Sequence, residues 1–316
     1  MEKFYPDYYK EFKCIANLCP DSCCQGWDVV VDKKSENYYD SVQGSFGEKI
    51  RKVTVTDEDG DRIFTLENGR CPFWNKDELC DIYINLGEEH LCDTCKKFPR
   101  ITMDYGSFTE YTLSLACPKA AELILNNDFI IPEKNYRLDN DYYNAEDMEQ
   151  LLKERKQTEK ILLTEGLSFK EKLKNLIEFS SEGLSTTDKN YKFIFDIHER
   201  LEFINPEYSE IIKNSYGNSL SGGFDDIYTR MAVYYIYRYY LNAIEDMNIT
   251  NVIKKIFCAY IITASIASFE NNPDIIRIIQ NYSKEVEHSY DNNATLEFFF
   301  ENDERFNLEN LISYLE

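Results

Sequence analysis

The stretch Gly69–Arg100 reads GRCPFWNKDELCDIYINLGEEHLCDTCKKFPR and holds Cys71, Cys80, Cys92 and Cys95. Upstream lie Cys14, Cys19, Cys23 and Cys24, and Cys117 follows downstream, so nine of the ten cysteines fall within the first 117 residues. Thiolates are soft, anionic donors for zinc and for iron–sulfur clusters. A pair spaced like Cys92 and Cys95 can chelate one centre from a single loop, and distant cysteines then staple remote loops to it. The spacing is not that of a zinc ribbon, which needs a second C-x-x-C pair. Nor is it the C-x-x-x-C-x-x-C of radical enzymes: Cys19 and Cys23 supply the first half, but position 26 is glycine. At least four of the nine read as ligands of a metal or cluster. Eight or nine ligands suit one [4Fe–4S] cluster with spare thiols, two clusters, or one cluster and a zinc. The competing readings are disulfides and small buried hydrophobes, and Cys258, alone on an apolar stretch, reads as the latter.

Composition narrows the partners. The chain has 316 residues, a net charge of −22 and a hydrophobic fraction of 43%. That fraction belongs to a folded protein with a sizeable core. The acidic balance repels phosphate backbones and anionic lipid, so neither nucleic acid nor a membrane surface is expected as a partner, and a lysine-bearing substrate is. The opening MEKFYPDYYKEF has no apolar signal core, and no run approaches the roughly 18 apolar residues of a span. Cytoplasmic placement is expected, where clustered cysteines act as ligands or redox groups more often than as disulfides.

Outward from the cysteines, Trp27–Asp32, Arg62–Leu66 and Phe108–Leu115 are β-branched or aromatic runs that predict short strands. Asn68-Gly69 predicts the turn that delivers the chain to Cys71. Residues 4–13, 33–42, 80–85 and 118–125 predict short helices, while Gly44 and Gly47 predict a loosened stretch. Beyond about residue 130 the pattern becomes helical, with long helices over Asp225–Met247 and Asn248–Phe269 and a third opened by Pro273. The expected fold is mainly α: a loop-rich, cysteine-ligated module with a few short strands over 1–130, a linker over 131–145, and a helical domain over 146–316. The tyrosines of YYIYRYY at 234–240 read as core, with a cation-binding pocket as the alternative. His90 reads as a solvated loop residue, with metal ligation as its alternative. His198 and His288 read as surface residues. No G-x-G-x-x-G, G-x-x-x-x-G-K-[ST] or G-x-S-x-G is present.

The phrases FKCIANLCPDSCCQGWDV (12–29), ENGRCPFWNKDELCDIYINLGEEHLCDTCKKFPR (67–100) and LSLACPKAAELIL (113–125) resemble the flagellin lysine N-methylases of bacteria. They resemble more loosely a wider group of cysteine-rich zinc- or iron-chelating domains. The resemblance covers residues 5–130, and the helical remainder fits in length and texture. It implies transfer of methyl groups from S-adenosylmethionine to lysines of flagellin or another lysine-bearing protein. It also implies an iron–sulfur cluster, with zinc as the alternative. The positions matching the family pattern are Cys14, Cys19, Cys23, Cys24, Cys71, Cys80, Cys95 and Cys117, with Cys92 less firmly attached to the set. Acidic and aromatic side chains suit two cationic reactants, which makes Asp225, Asp226, Tyr228 and Tyr235 the candidate catalytic residues. The rival readings are a non-catalytic zinc or iron–sulfur scaffold and a redox module.

Overall fold

The computed structural model describes residues 2–128, 136–138, 142–181, 190–218, 220 and 222–315. Helices dominate and the strands are short, as the sequence indicates for a mainly α protein. The chain forms two compact units. One comprises Lys13–Ile101 with Cys117–Lys119; the other comprises Met1–Phe12, Thr102–Ala116 and Ala120–Glu316. Of the linker expected at 131–145, residues 131–135 and 139–141 lie outside the described residues.

The first unit contains all nine clustered cysteines. Its antiparallel sheet places Arg62–Phe64 between Val29–Val30 and Thr54–Thr56, with Phe64 opposite both Val29 and Thr54. The helix Lys33–Ser41 starts where Asp32 accepts from the Ser35 N–H (3.0 Å), an N-cap that satisfies one of the free first-turn donors. The next stretch is not loosened: Gly44–Val53 is helical. A Cβ at Gly47 would lie 1.9 Å from the Val42 carbonyl oxygen, so glycine here permits close approach of backbone rather than disorder. Arg51 reaches back to donate to the same Val42 oxygen (2.9 Å). Asn68 and Gly69 both take positive φ, 54° and 73°, and Glu67 and Arg70 exchange backbone hydrogen bonds across them. That is the two-residue hairpin predicted from the dipeptide. Val29, Val31, Tyr39, Ile50, Phe64 and Phe73 fill the core, together with Cys71 and Cys92.

In the second unit, Glu2–Phe4 runs parallel to Phe108–Leu113. The segment read as a helix over 4–13 is therefore a strand followed by one turn of helix, Tyr8–Glu11. Most of the unit is helical: Ala145–Leu162, Phe169–Ser180, Lys192–His198, Glu207–Ser215, Asp225–Tyr239, Thr250–Phe269, Ile275–Tyr282, Tyr290–Asn302 and Leu308–Tyr314. The tyrosine-rich helix ends at Tyr239 and continues as a 3₁₀ turn over Tyr240–Ile244, short of the expected Met247. The Ile275–Tyr282 helix runs on as a π-helical turn, Ser283–Glu287.

Thr250–Phe269 is the central helix, with residues 252–267 buried around its whole circumference. By length and composition it passes as a membrane span, where the sequence suggested that no stretch would. Yet 89% of its most apolar window is buried inside the protein. The two lysines are satisfied within the fold: Lys254 Nζ donates to the Phe300 carbonyl (2.7 Å) and Lys255 Nζ to Asn293 Oδ1 (2.6 Å).

Candidate functional site

Backbone pairing brings the separated cysteines together. The Gly26 N–H donates to the Gly69 carbonyl (2.9 Å) and the Cys71 N–H to the Cys24 carbonyl (2.8 Å), which sets Cys24 beside Cys71. Trp74 and Cys80 form a bridge one turn further on, closed by the Asp81 N–H donating to the Phe73 carbonyl (2.7 Å). Cys92 is the N-cap of the short helix Asp93–Lys97, which carries Cys95. That helix is tied to the first strand by the Asp93 N–H donating to Asp32 Oδ2 (2.8 Å) and Thr94 Oγ1 donating to the Val30 carbonyl (2.7 Å). The Cys14–Cys24 segment is irregular, as Pro20 and Asp21 suggest, with a 3₁₀ turn at Ala16–Leu18. Within it Cys14 Sγ accepts from the Ala16 N–H (3.4 Å), and Cys19 Sγ donates to the Asp21 carbonyl (3.2 Å).

The thiols perturb one another. A hydrogen bond with Cys23 pulls the Cys24 thiol down to about 7, and the same bond raises Cys23, which also feels the charges of Cys14 and Cys117. Cys92 is lowered chiefly by its hydrogen bond with Cys95. Cys95 is raised by that bond and by burial, and it feels the charges of Cys92, Cys23 and Cys24. Burial pushes Cys71 up to about 12 and raises Cys80, with further contributions from Cys24 at both. Cys14, Cys23, Cys24, Cys71, Cys80, Cys92, Cys95 and Cys117 thus form one electrostatically connected set, drawn from three stretches of chain. Cys23 and Cys95 are accessible at the surface. All ten cysteines are free thiols, and among the described residues no group of three or more His, Cys, Asp or Glu is gathered to hold a metal ion.

The candidate residues of the helical unit fall into two neighbourhoods. Asp225 opens the helix Asp225–Tyr239 and accepts from the Phe169 N–H (2.5 Å), while Asp226 beside it is exposed. Tyr228, one turn on, is buried; burial raises its phenol, and the Asp225 charge adds to that shift. Tyr235 is buried elsewhere, beside Tyr234, Tyr239 and Tyr282, with its phenol raised by burial and then by the Glu287 charge. Both phenols are raised, which keeps them protonated at neutral pH and argues against a tyrosinate base; the buried Tyr228 hydroxyl has no hydrogen-bond partner among the described residues.

Histidines add little. His90 stacks on Tyr38 with centroids 3.9 Å apart and is partly exposed. His288 is exposed, as read from the sequence. His198 is not on the surface: it is fully buried, with Nδ1 bonded to the Ile194 carbonyl (2.7 Å) and Nε2 to the Tyr282 hydroxyl (3.0 Å). Cys258 is buried on the central helix, as its apolar context indicated.

Two buried ionic centres went unread in the sequence. Glu287, on the π-helical turn, accepts from Tyr234 (3.0 Å) and Tyr239 (2.8 Å), and also from Arg238 and Ser283. Tyr234 in turn accepts from the Leu115 N–H (3.5 Å), and separately Gln280 donates to the Ala116 carbonyl (2.8 Å). Glu110 and Arg155 form the second centre, a two-pronged pair with both bonds at 2.8 Å. No local motif announces either, because their partners lie far apart in sequence.

A family model described as the FliB lysine N-methylase C-terminal domain matches residues 111–314. The chain is 30% identical over 134 residues to a protein named flagellar biosynthetic protein FliU from Salmonella muenchen, spanning 39% of this chain and 76% of that protein. It is 31% identical over 136 residues to proteins named lysine-N-methylase from Salmonella typhimurium and Salmonella choleraesuis, spanning 39% of this chain and 32% of each. No solved structure matches the chain.

Proposed function

The chain belongs to the FliB lysine N-methylase family, whose C-terminal domain it carries over residues 111–314, and on that premise we propose that it transfers methyl groups from S-adenosylmethionine to lysine side chains of flagellin. The observation that carries the reading is the family match, and the relative named for flagellar biosynthesis supports the choice of substrate. In the proposed step the methyl carbon leaves the sulfonium sulfur and bonds to the lysine nitrogen; the products are a thioether and a methylated amine, with one proton released. A free lysine amine titrates near 10.4, so it must shed that proton before attack. Partial desolvation favours the neutral amine, and a nearby carboxylate can take the proton. Asp225 and Asp226 are the carboxylates we assign to attract and deprotonate the amine. We assign Tyr228 a donor role near them and leave Tyr235 to packing around Glu287. Much of the remaining requirement is in-line positioning.

We further propose that the cysteine-rich unit holds an iron–sulfur cluster. Zinc also takes cysteine thiolates and is the alternative centre; among the described residues no group of three or more ligands is gathered for either. An iron–sulfur cluster takes cysteine thiolates as its characteristic ligands; the all-cysteine donor set and the resemblance of these stretches to the family support that choice. Cys14, Cys19, Cys23, Cys24, Cys71, Cys80, Cys95 and Cys117 are the assigned ligand pool, with Cys92, at the start of the helix that carries Cys95, the less firmly attached member. Such a centre supplies a one-electron couple or a structural staple. The free thiols favour a reducing compartment, the cytoplasm.

The test is label transfer. Protein purified without oxygen, with its iron and sulfide measured, is incubated with methyl-labelled S-adenosylmethionine and purified flagellin. Label is expected on flagellin lysines, and none when flagellin is omitted. Cluster-replete protein that neither binds the donor nor labels flagellin would overturn the reading in favour of a scaffold.

A further inference from the structure

The helix Tyr290–Asn302 is apolar on two sides. Its inward side carries Leu296 and Phe300, both buried. At 3.6 residues per turn, Tyr290, Ala294, Phe298 and Glu301 follow one another along the opposite side. Tyr290 is 86% exposed and Phe298 61%, and Ala294 and Glu301 are also exposed. Large apolar groups scattered singly over a surface need no explanation, but two aromatic rings in line on one helix face form a continuous stripe.

The charges that the helix itself carries have one sign, although Arg200, from the turn that ends another helix, lies 5.9 Å from the centroid of the neighbouring Phe299 ring. The sequence YDNNATLEFFFEN (290–302) contains no lysine or arginine. Asp291 lies beside the aromatic line and Glu301 at its end; neither is in a salt bridge among the described residues, and the Glu301 charge is felt by Lys254. Glu297, at the edge, is already paired with Lys255 (2.8 Å), and the next cation along the chain, Arg305, is paired with Asp303 (2.6 Å). An acidic rim opposes both a second copy of this face and an anionic membrane.

We propose that the outward face of the Tyr290–Asn302 helix docks a lysine-bearing amphipathic helix of the protein substrate, an inference that rests on the lysine N-methylase reading above. Tyr290, Ala294 and Phe298 receive the apolar side of that helix. Asp291 and Glu301 receive its lysines, in the helix-against-groove manner of peptide recognition. Aromatic anchors carry most of the affinity in such interfaces, and rim charges set the association rate and its salt dependence.

The experiment measures binding separately from catalysis. Flagellin is titrated onto wild-type protein, onto Y290S/F298S and onto D291K/E301K. Thermal melts check that each variant is folded. The aromatic pair is expected to weaken binding by about tenfold or more, and the charge pair to weaken it and flatten its salt dependence. In methyl transfer the same changes raise KM for flagellin and leave kcat unchanged. A short lysine peptide with no apolar face is methylated at the wild-type rate by all three proteins. Wild-type affinity in both folded variants would overturn the docking face while leaving the methylase reading intact. Wild-type protein that dimerises, with Y290S/F298S monomeric, would also overturn it, because the face would then be a contact between copies. Flagellin bound through this face without methyl transfer would uphold the docking surface and defeat the methylase reading.

Discussion

Replacing Glu110 by glutamine keeps the shape of the side chain and removes one charge from a dry pair. Glu110 is fully buried and Arg155 is 1% exposed. Arg155 donates through both terminal nitrogens at 2.8 Å, and the Tyr136 hydroxyl donates to the same carboxylate at 3.0 Å. Burial alone would favour loss of the Arg155 proton, but the Glu110 charge and hydrogen bonds outweigh it and hold the guanidinium charged. The variant therefore strands a buried cation against a neutral amide. Breaking a buried pair from one side costs about 3–5 kcal/mol, a large share of the roughly 5–15 kcal/mol that holds a domain folded. At about 2–4 °C per kcal/mol for a unit of this size, the melting temperature should fall by roughly 6–20 °C. Melts and urea titrations followed by circular dichroism measure this directly. The double variant E110L/R155M removes both charges and should lose less than E110Q alone. A loss under about 1 kcal/mol for E110Q, or a double variant worse than the single, would refute the claim that the pair is dry and charged.

Other outcomes follow from the same geometry. His198 is held down to about 4 by burial, against an ordinary 6.5. The unfolded chain then binds a proton that the native chain refuses between those values, so stability falls as pH drops from 6.5 to 4. At about 1.36 kcal/mol per pKa unit the loss reaches about 3 kcal/mol, and His198→Gln should flatten the pH dependence of the urea midpoint in that window. Gly47→Ala forces a methyl group to 1.9 Å from the Val42 oxygen and should destabilise the cysteine-rich unit by about 1–3 kcal/mol or more, read as earlier melting and lower bound iron. Tyr105 buries a hydroxyl with no partner among the described residues, so Tyr105→Phe should be neutral or stabilising by up to about 1 kcal/mol in the same melts. Cys258→Ala should leave iron and sulfide content unchanged, whereas Cys71→Ser or Cys95→Ser should lower both.

What the sequence made legible was local chemistry. Asn68-Gly69 announces its turn because both residues tolerate positive φ, and the structure puts both there. Pro118 opens a helix and Pro206 precedes one, as proline's fixed φ and missing donor allow. The tyrosines at 234, 235, 237 and 240 are core. What stayed hidden depends on distant partners. Glu2–Phe4 is a strand because Phe108–Leu113 lies alongside it, and three residues carry no periodicity of their own. Gly47 reads as a helix breaker until the Val42 carbonyl is seen pressed against it. Glu287 and Glu110 look like surface carboxylates until their arginine and tyrosine partners arrive from distant stretches of the chain. The cysteine stretches were visible as such, but their convergence rests on the pairing of residues 24–26 with 69–71. Cys92, the least firmly attached in sequence, sits at the N-cap position of the helix that carries Cys95.

The most direct measurement maps methyl groups on the substrate. Flagellin is co-expressed with the wild-type chain, with Cys71→Ser and with an empty vector, and its peptides are read by mass spectrometry. The account predicts methyl-lysine in the wild-type sample and little or none in the other two. Unmodified lysines beside well-expressed, cluster-bearing wild-type protein would contradict it.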